Sequence, residues 1–334
     1  MLLSVTPEIR AQGLSTAVLT VKGIESAASS RELLAMRRAA ARRIANHWKN
    51  RSISSHPAIR EYHRVHEFFG VPGEPPAPEK LILHLRRNKA LNPTSGLVDC
   101  YNIVSARTLL SIGAHDLDQL DFPIALRRLG EKDVFQPLGT GETQRLPGEF
   151  GYVDPNGYVI CRMDVLQCEW SKVTKDTRNA IVFIQGNRFL APGSLLTGTW
   201  LLAEMASRFC GAEVELVHFS RAGQTESGVL AKPVMTFNTF QSLNLVVATV
   251  LKAETLDGMS LSVLTVRSGP EFEALAATDH AEAAVGQKVL VAIGLHPLLA
   301  AGRQFTAYVP MLQSVNADVL PALAGDIPEG QRVY

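Results

Sequence analysis

Residues 91–120 constrain the fold of this chain more than any other stretch, because a turn cluster, an apolar run and a polar group follow one another directly. The sequence Asn-Pro-Thr-Ser-Gly at 92–96 is typical of the boundary between two elements. Apolar positions over 97–112 recur at helical spacing and Gly113 comes next, which predicts a helix that ends there. We therefore expect His115 to be presented on a short loop after this helix.

Two polar side chains of the predicted helix are separated by three positions. Asp99 and Asn102 therefore fall on one helix face, a turn apart. A face that carries a carboxylate and an amide, followed by a loop that carries His115, predicts a polar pocket.

A second stretch places a carboxylate between Cys168 and Trp170. Burying an ionised carboxylate beside apolar neighbours is costly unless it binds something. Glu169 is therefore a candidate binding group, and the alternative is a surface glutamate on a loop.

The composition excludes several classes of protein. The net charge is +1, so no overall field indicates a nucleic-acid or membrane partner, and any RNA contact must come from local basic patches. The four cysteines form no Cys-x-x-Cys pair, which predicts buried reduced thiols in a cytoplasmic protein and no metal site. We separately expect no cofactor. We also expect no membrane partner, since no apolar run approaches the length of a span.

Two local clusters of basic residues stand out. Arg86, Arg87 and Lys89 end a short helix predicted over 80–89 and are candidates for contact with a phosphate. The longer basic helix predicted over 31–49 is interpreted as a solvated helix face.

The chain divides into two predicted domains, which is the number that 334 residues favour. Residues 1–221 mix predicted helices and strands, as in an α+β domain. Residues 222–233 are polar and glycine-containing, which is typical of a linker. Residues 234–334 contain short predicted strands separated by turns, at 243–253, 261–266, 287–295 and 306–310, which indicates a small all-β barrel.

Two blocks of sequence carry a resemblance to a known family. The first reads VDCYNIV at 98–104 and IGAHDLD at 112–118, and the second runs over 169–179 as EWSKVTKDTRN. In this order and spacing they resemble the editing domain of the bacterial phenylalanyl-tRNA synthetase β subunit, over about residues 10–220. That domain hydrolyses tyrosine that has been wrongly esterified to the phenylalanine tRNA.

The resemblance implies that His115 and Glu169 are the catalytic residues of the pocket. We expect His115, as the side chain that titrates near neutrality, to orient water or the ester, and Glu169 to accept a hydrogen bond from a phenol. The candidates for substrate binding are Asp99, Asn102, Ser171, Thr177 and Asn179, although Asp99 and Asn102 equally fit a role in orienting the helix and loop. Gln167-Cys168 replaces the family's two glycines, which leaves the pocket width and the amino acid open.

The C-terminal segment resembles a second family. TFNTF at 236–240, VGQKV at 285–289 and a His-Pro turn over 296–302 are similar to the OB-fold tRNA-binding domain of secretion-chaperone-like proteins. The resemblance implies RNA contacts by Lys252 and Arg303, to which Lys172 of the first domain is added as a candidate. The binding strand lacks the family's basic residue, so the alternative role is to form a homodimer through this domain.

These observations predict a freestanding trans-editing factor. It would bind tRNA or aminoacyl-tRNA and hydrolyse the misacylated ester, as an aminoacyl-tRNA deacylase. The alternative is a non-catalytic module that binds tRNA or a free amino acid.

Overall fold

The computed structural model describes residues 2–25, 30–91, 94–190, 193–221, 244–256, 258–268, 273–278, 285–293, 297–309 and 332–333. Over these ranges the chain is a mixed α/β fold with three six-stranded sheets. The helices are α1 (Pro7–Arg10), α2 (Arg31–His47), α3 (Pro57–Phe68), α4 (Ala77–Asn88), α5 (Gly96–Thr108) and α6 (Ser194–Cys210). Among the described residues, none of the helices has the length and apolar character needed to cross a bilayer.

The strands follow in chain order. They are β1 (Leu3–Val5), β2 (Leu14–Lys22), β3 (Ser111–Asp116), β4 (Ile124–Arg128), β5 (Val134–Phe135), β6 (Phe150–Val153), β7 (Tyr158–Arg162), β8 (Leu166–Gln167), β9 (Ala180–Asn187), β10 (Glu213–Ser220), β11 (Asn244–Thr255), β12 (Ser262–Arg267), β13 (Glu273–Thr278), β14 (Lys288–Ile293), β15 (Leu298–Ala300), β16 (Arg303–Phe305), β17 (Ala307–Tyr308) and β18 (Arg332–Val333).

The central sheet has the order β16-β15-β10-β2-β9-β3 and is covered on both faces. Side chains alternate across a strand, so neighbouring residues of β2 belong to different cores. Ala17 and Leu19 pack into a core that α5 and α6 share, whereas Leu14 and Val18 pack into a core shared with the second sheet. Because both faces of the sheet are covered, every residue of β9 and every residue of β2 except Lys22 is buried.

The second sheet has the order β1-β4-β6-β7-β5, with β8 paired to β7. β6 and β7 form a hairpin, since they pair in antiparallel fashion around the Asp154–Gly157 turn. Phe69, Phe135 and Phe150 are fully buried in the core between this sheet and the central one.

Helix starts follow the local sequence closely. The Ser30 and Ser95 hydroxyls accept the backbone N–H groups of Leu33 and Val98, and Pro57 occupies the first turn of α3.

The predicted end of α5 is wrong. The helix stops at Thr108, because Leu109 adopts the left-handed conformation with φ of 59°. Residues 111–116 then form β3, which pairs with β9 in the central sheet. His115 therefore lies on a sheet strand instead of a loop, and Gly113 is a strand residue.

The third sheet contains the C-terminal strands predicted from the sequence. β11 pairs with β12 and with β14, β13 pairs with β12, and β17 connects β13 to β14. β15 and β16 instead extend the central sheet, because β15 pairs in parallel with β10. The linker predicted at 222–233 and the aromatic pattern at 236–240 lie outside the described residues.

Candidate functional site

A cavity of about 250 Å³ lies between α5, β3, β9 and the turn from β7 to β8. Its apolar walls include Ile112, Leu166 and Phe183. Its polar lining residues come from five elements and one connecting turn of the chain: Tyr101, Asn102, Ser111, His115, Tyr152, Asp164, Gln167 and Gln185. Apolar walls with a small number of converging polar groups are typical of a small-molecule site.

His115 is held in place by the strand pairing of β3 and by one side-chain partner. Its Nδ1 lies 2.8 Å from Ser171 Oγ, and that hydroxyl lies 2.9 Å from Cys168 Sγ. The contact with Ser171 leaves Nε2 as the ring nitrogen that can serve a ligand in the cavity.

The protonation state of His115 differs from the expectation drawn from the sequence. The side chain is 1% exposed, and burial lowers the pKa of His115 to about 3. The expectation that His115 titrates near neutrality is therefore wrong, because the charged ring would lose its hydration. At neutral pH the ring is a neutral imidazole, with one donor and one acceptor.

Asn102 and Tyr101 bring α5 to the cavity, and both are half-buried there. On the opposite side, Gln185 Nε2 donates to the Tyr152 hydroxyl at 2.5 Å. A phenol that accepts one hydrogen bond still has its own O–H to donate, so Tyr152 can serve as a donor to a ligand.

Asp164 supplies the carboxylate of the cavity. It follows Met163, a buried residue with φ of 48°, in the turn between β7 and β8. His66 Nε2 lies 2.5 Å from Asp164 Oδ1, and the backbone N–H of Ala77 donates to Oδ2 at 3.3 Å. Non-glycine residues adopt the left-handed conformation only where the surrounding structure holds them in it, and such residues cluster at functional sites.

His66 and Asp164 form a buried ion pair. Burial opposes both charges, but the Asp164 carboxylate and a hydrogen bond from His66 Nδ1 to the Glu74 carbonyl raise the pKa of His66. The same imidazolium, together with hydrogen bonds from Ser111 and Ala77, lowers the pKa of Asp164. Neither His66 nor Asp164 is among the candidates drawn from the sequence.

Glu169 is not brought to the cavity. Its Oε2 accepts the backbone N–H of Gly139 at 2.9 Å, and its Oε1 is bound by Lys172. Both partners lower the pKa of Glu169, and the hydrogen bond from Gly139 has the larger effect. The side chain is 28% exposed, so the alternative of a loop glutamate at the surface describes its position.

The two sequence blocks bind each other through matched side chains. Besides the His115–Ser171 contact, Thr177 Oγ1 donates to Asp116 Oδ2 at 2.7 Å. Asn179 Nδ2 donates to the Asp118 carboxylate at 3.1 Å. Ser171, Thr177 and Asn179 are thus placed as a brace that positions β3 against the following loop, and the cavity lining does not include them.

Asp99 points away from the cavity. Its Oδ2 accepts a hydrogen bond from Arg37 Nη1 of α2 at 2.7 Å, in a pair whose side chains are 0% and 9% exposed. Asp99 and Asn102 therefore contact different neighbours, and Asp99 fixes α5 against α2.

The proposed RNA-binding cations occupy separate places. Arg86, Arg87 and Lys89 are exposed at the C-terminal end of α4. Because Ala77 at the other end of α4 lines the cavity, a rise of 1.5 Å per residue puts Arg86 roughly 13 Å further along the axis. Lys252, at 2.8 Å, and Arg303 both bind Glu254, and they lower the pKa of that carboxylate to about 2.

Gln167 narrows the cavity beside His115. A Cβ added at Gly113 would lie 2.7 Å from Gln167 Nε2, which donates to the Ala114 carbonyl at 3.3 Å. Gly113 therefore makes room for the Gln167 side chain at the cavity wall. Within the described ranges, no group of three or more potential metal ligands from His, Cys, Asp or Glu is present.

The fold places a small, partly aromatic cavity within a mixed α/β region of the chain. Residues 68–189 match the model of the B3/4 domain, which is of the phenylalanyl-tRNA synthetase β-subunit type. Every residue that lines the cavity falls inside this match. The search of curated proteins gives no match.

Three solved structures show similarity to the chain. An N-terminal fragment of the phenylalanyl-tRNA synthetase β-subunit from Pyrococcus horikoshii is 15% identical with a TM-score of 0.33, over 64% of this chain and 49% of the fragment. A MetRS related protein from Pyrococcus horikoshii is 21% identical with a TM-score of 0.23, over 30% of this chain and 96% of that one. Chaperone CsaA from Bacillus anthracis str. Ames is 20% identical with a TM-score of 0.24, over 30% and 97%.

Proposed function

We propose that this protein is a trans-editing factor that binds the aminoacyl end of a tRNA in the cavity beside His115 and hydrolyses its ester. The observation that carries the proposal is that His115 and Asn102 of the first sequence block line a cavity that lies wholly inside the B3/4 match. A domain of the phenylalanyl-tRNA synthetase β-subunit type supports an aminoacyl-tRNA as the ligand.

The chemistry assigned to His115 is positioning. Its pKa of about 3 makes the neutral ring a weak base, so it is better suited to hold water or the ester carbonyl than to remove a proton fully. Ester hydrolysis needs an oriented water and a donor near the developing oxyanion. Nε2 of His115 and the amide of Asn102 are the groups that we assign to these two tasks.

The walls of the cavity favour an aromatic or large apolar amino acid. Tyr101, Tyr152 and Phe183 offer ring surfaces, and the Tyr152 hydroxyl can bind a polar group at the end of a side chain. The Asp164 carboxylate is the group that we assign to the α-ammonium of the amino acid.

We also propose that the chain consists of an editing-type domain over 1–221, a linker over 222–233 and an OB-fold-type domain over 234–334. Because Lys252 and Arg303 share Glu254, we expect the cations at the end of α4 to contribute more to tRNA affinity. A homodimer through the C-terminal domain stays a prediction, which sedimentation analysis at several protein concentrations would test.

A deacylation assay tests the proposal. Purified protein is incubated with tRNAs charged with tyrosine, phenylalanine, leucine or alanine, and the fraction that remains esterified is followed. We expect faster hydrolysis of at least one aromatic ester than of the alanyl ester. If every ester stays intact while tRNA or a free amino acid binds, the protein is instead a non-catalytic binding module.

A further inference from the structure

Helices α2 and α5 lie side by side and are joined by opposite charges at one level. The buried Arg37–Asp99 pair, at 2.7 Å, forms that connection. Six positions further along α2 and eight further along α5 stand Arg43 and Arg107. A rise of 1.5 Å per residue puts them roughly 9 and 12 Å from the pair along their own helices, and because both line one cavity they lie toward the same end of the helix pair.

Arg43 and Arg107 line a cavity of about 100 Å³ between these two helices. Its floor is apolar and is made by Met36, Ala40 and Ile44, and His47 completes the rim. The two helices therefore face each other with two guanidinium groups at this cavity, whereas at the Arg37–Asp99 pair they face each other with a guanidinium and a carboxylate.

Two arginines line this cavity, and a third, Arg51, contacts His47 at its rim. Burial, followed by the charge of Arg43, lowers the pKa of Arg107. Arg51 Nη1 lies 3.2 Å from His47 Nε2, and because arginine can only donate, that nitrogen accepts and His47 is neutral. Arg43 itself is exposed and forms no salt bridge with the part of the chain that the structure describes.

We infer that the cleft lined by Arg43, His47 and Arg107 binds a phosphodiester of an RNA chain, with the adjacent ribose or base packed on the apolar floor. The inference rests on the proposed function, since it names a second contact for the same tRNA. An anion between the two guanidinium groups would relieve their repulsion, and the planar forks of arginine suit phosphate oxygens. A bare anion would leave the apolar floor unused, whereas a nucleotide uses both parts.

The basic residues of α2 differ in whether they line this cleft. Arg42 and Arg43 are neighbours and both are exposed, but Arg43 alone of the two lines the cleft. Arg42 therefore provides a matched control, since its removal changes the net charge equally without touching the cavity.

Fluorescence anisotropy with labelled, uncharged tRNA tests the inference on the full-length protein. We expect Arg43→Gln to raise Kd about three- to ten-fold and to lower the slope of log K against log salt by about one. Arg42→Gln should change Kd less than two-fold. Equal losses in the two variants, or no loss in Arg43→Gln, would overturn the inference.

A charge reversal separates a binding role from a structural one. Arg43→Glu would place a carboxylate beside Arg107, so it should raise Tm while it lowers tRNA affinity more than Arg43→Gln does. Arg42→Glu should not raise Tm. A lowered Tm in Arg43→Glu, together with an affinity loss no larger than that of Arg42→Glu, would mean that the arginine only stabilises the fold.

The failure of this inference can be told from failure of the proposed function. If the wild type deacylates tRNA and Arg43→Gln has an unchanged KM, the cleft is not an RNA site although the function stands. Adenosine monophosphate serves as the second probe. If Arg43→Gln loses that nucleotide but keeps its tRNA affinity, the ligand is a free nucleotide and the RNA assignment is wrong.

Discussion

The Arg37–Asp99 ion pair connects α2 to α5 and lies outside the cavity lining, so its removal should change stability without changing the site. Arg37→Met removes the guanidinium that lies 2.7 Å from Asp99 Oδ2 and leaves the carboxylate in a place where its side chain is 0% exposed. Loss of one partner of a buried ion pair costs about 3–5 kcal/mol, since the remaining charge is buried without its counter-charge.

This free energy converts into a measurable shift of Tm. An unfolding entropy of about 2.1 cal/mol/K per residue gives roughly 0.7 kcal/mol/K for this chain, so Tm should fall by about 4–7 °C. Differential scanning calorimetry at neutral pH measures the shift. Arg38→Met, which removes an exposed arginine from the same helix, should change Tm by less than about 1 °C.

The double variant Arg37→Met with Asp99→Leu decides what the pair does. Replacing both partners by apolar groups is close to neutral, so most of the lost stability should return. The double variant should also retain ester hydrolysis, since Asp99 does not line the cavity. A single variant that costs less than 1 kcal/mol, or a stable double variant without activity, would refute the assignment of Asp99 to structure.

Two further predictions concern stability. The pKa of His66 is raised above 6.5 and that of Asp164 is lowered below 3.8. The ion pair therefore contributes its full stabilisation to the free energy of unfolding between pH 3.8 and 6.5, and the contribution of His66 is lost as pH rises through its raised pKa. His66→Gln should therefore lower Tm more at pH 5.5 than at pH 9, and an equal loss at both would contradict the ion pair. Gly198→Ala should lower the free energy of unfolding by about 1–3 kcal/mol although alanine has the better helix propensity, because the new Cβ would lie 2.2 Å from Leu110 Cδ1. Thermal melts measure the loss, and a stabilised variant would show that Leu110 can move without cost.

Local sequence signals identified much of the first domain's secondary structure. The helices predicted over 31–49 and 80–89 both appear in the structure, as α2 and α4. These elements have strong periodicity and clear boundary residues, so neighbouring residues are enough to define them.

The boundary between α5 and β3 could not be read in the same way. Both elements are apolar, and the break is made by Leu109 in a left-handed conformation that leucine rarely adopts. The pairing of residues 111–116 with β9 at 180–187 decides the outcome, and that contact is distant in sequence.

The candidate site was identified in part. His115 and Asn102 line the cavity, as a pocket built from the first block requires, but Glu169 occupies a surface loop with Gly139 and Lys172. Asp164 was missed because it follows a hairpin with no motif around it. The available signal was an acidic residue between the apolar neighbours Met163 and Val165, which is the same argument that was applied to Glu169.

Deacylation by site variants tests the central claim most directly, with tRNA affinity measured in parallel. At saturating substrate, His115→Ala should slow ester hydrolysis by about ten- to a thousand-fold, as expected for one lost polar contact at the reacting group. Glu169→Ala should leave the rate within about two-fold, because its carboxylate lies outside the cavity lining. A rate that survives His115→Ala but falls with Glu169→Ala would contradict the assignment of this cavity as the site of hydrolysis.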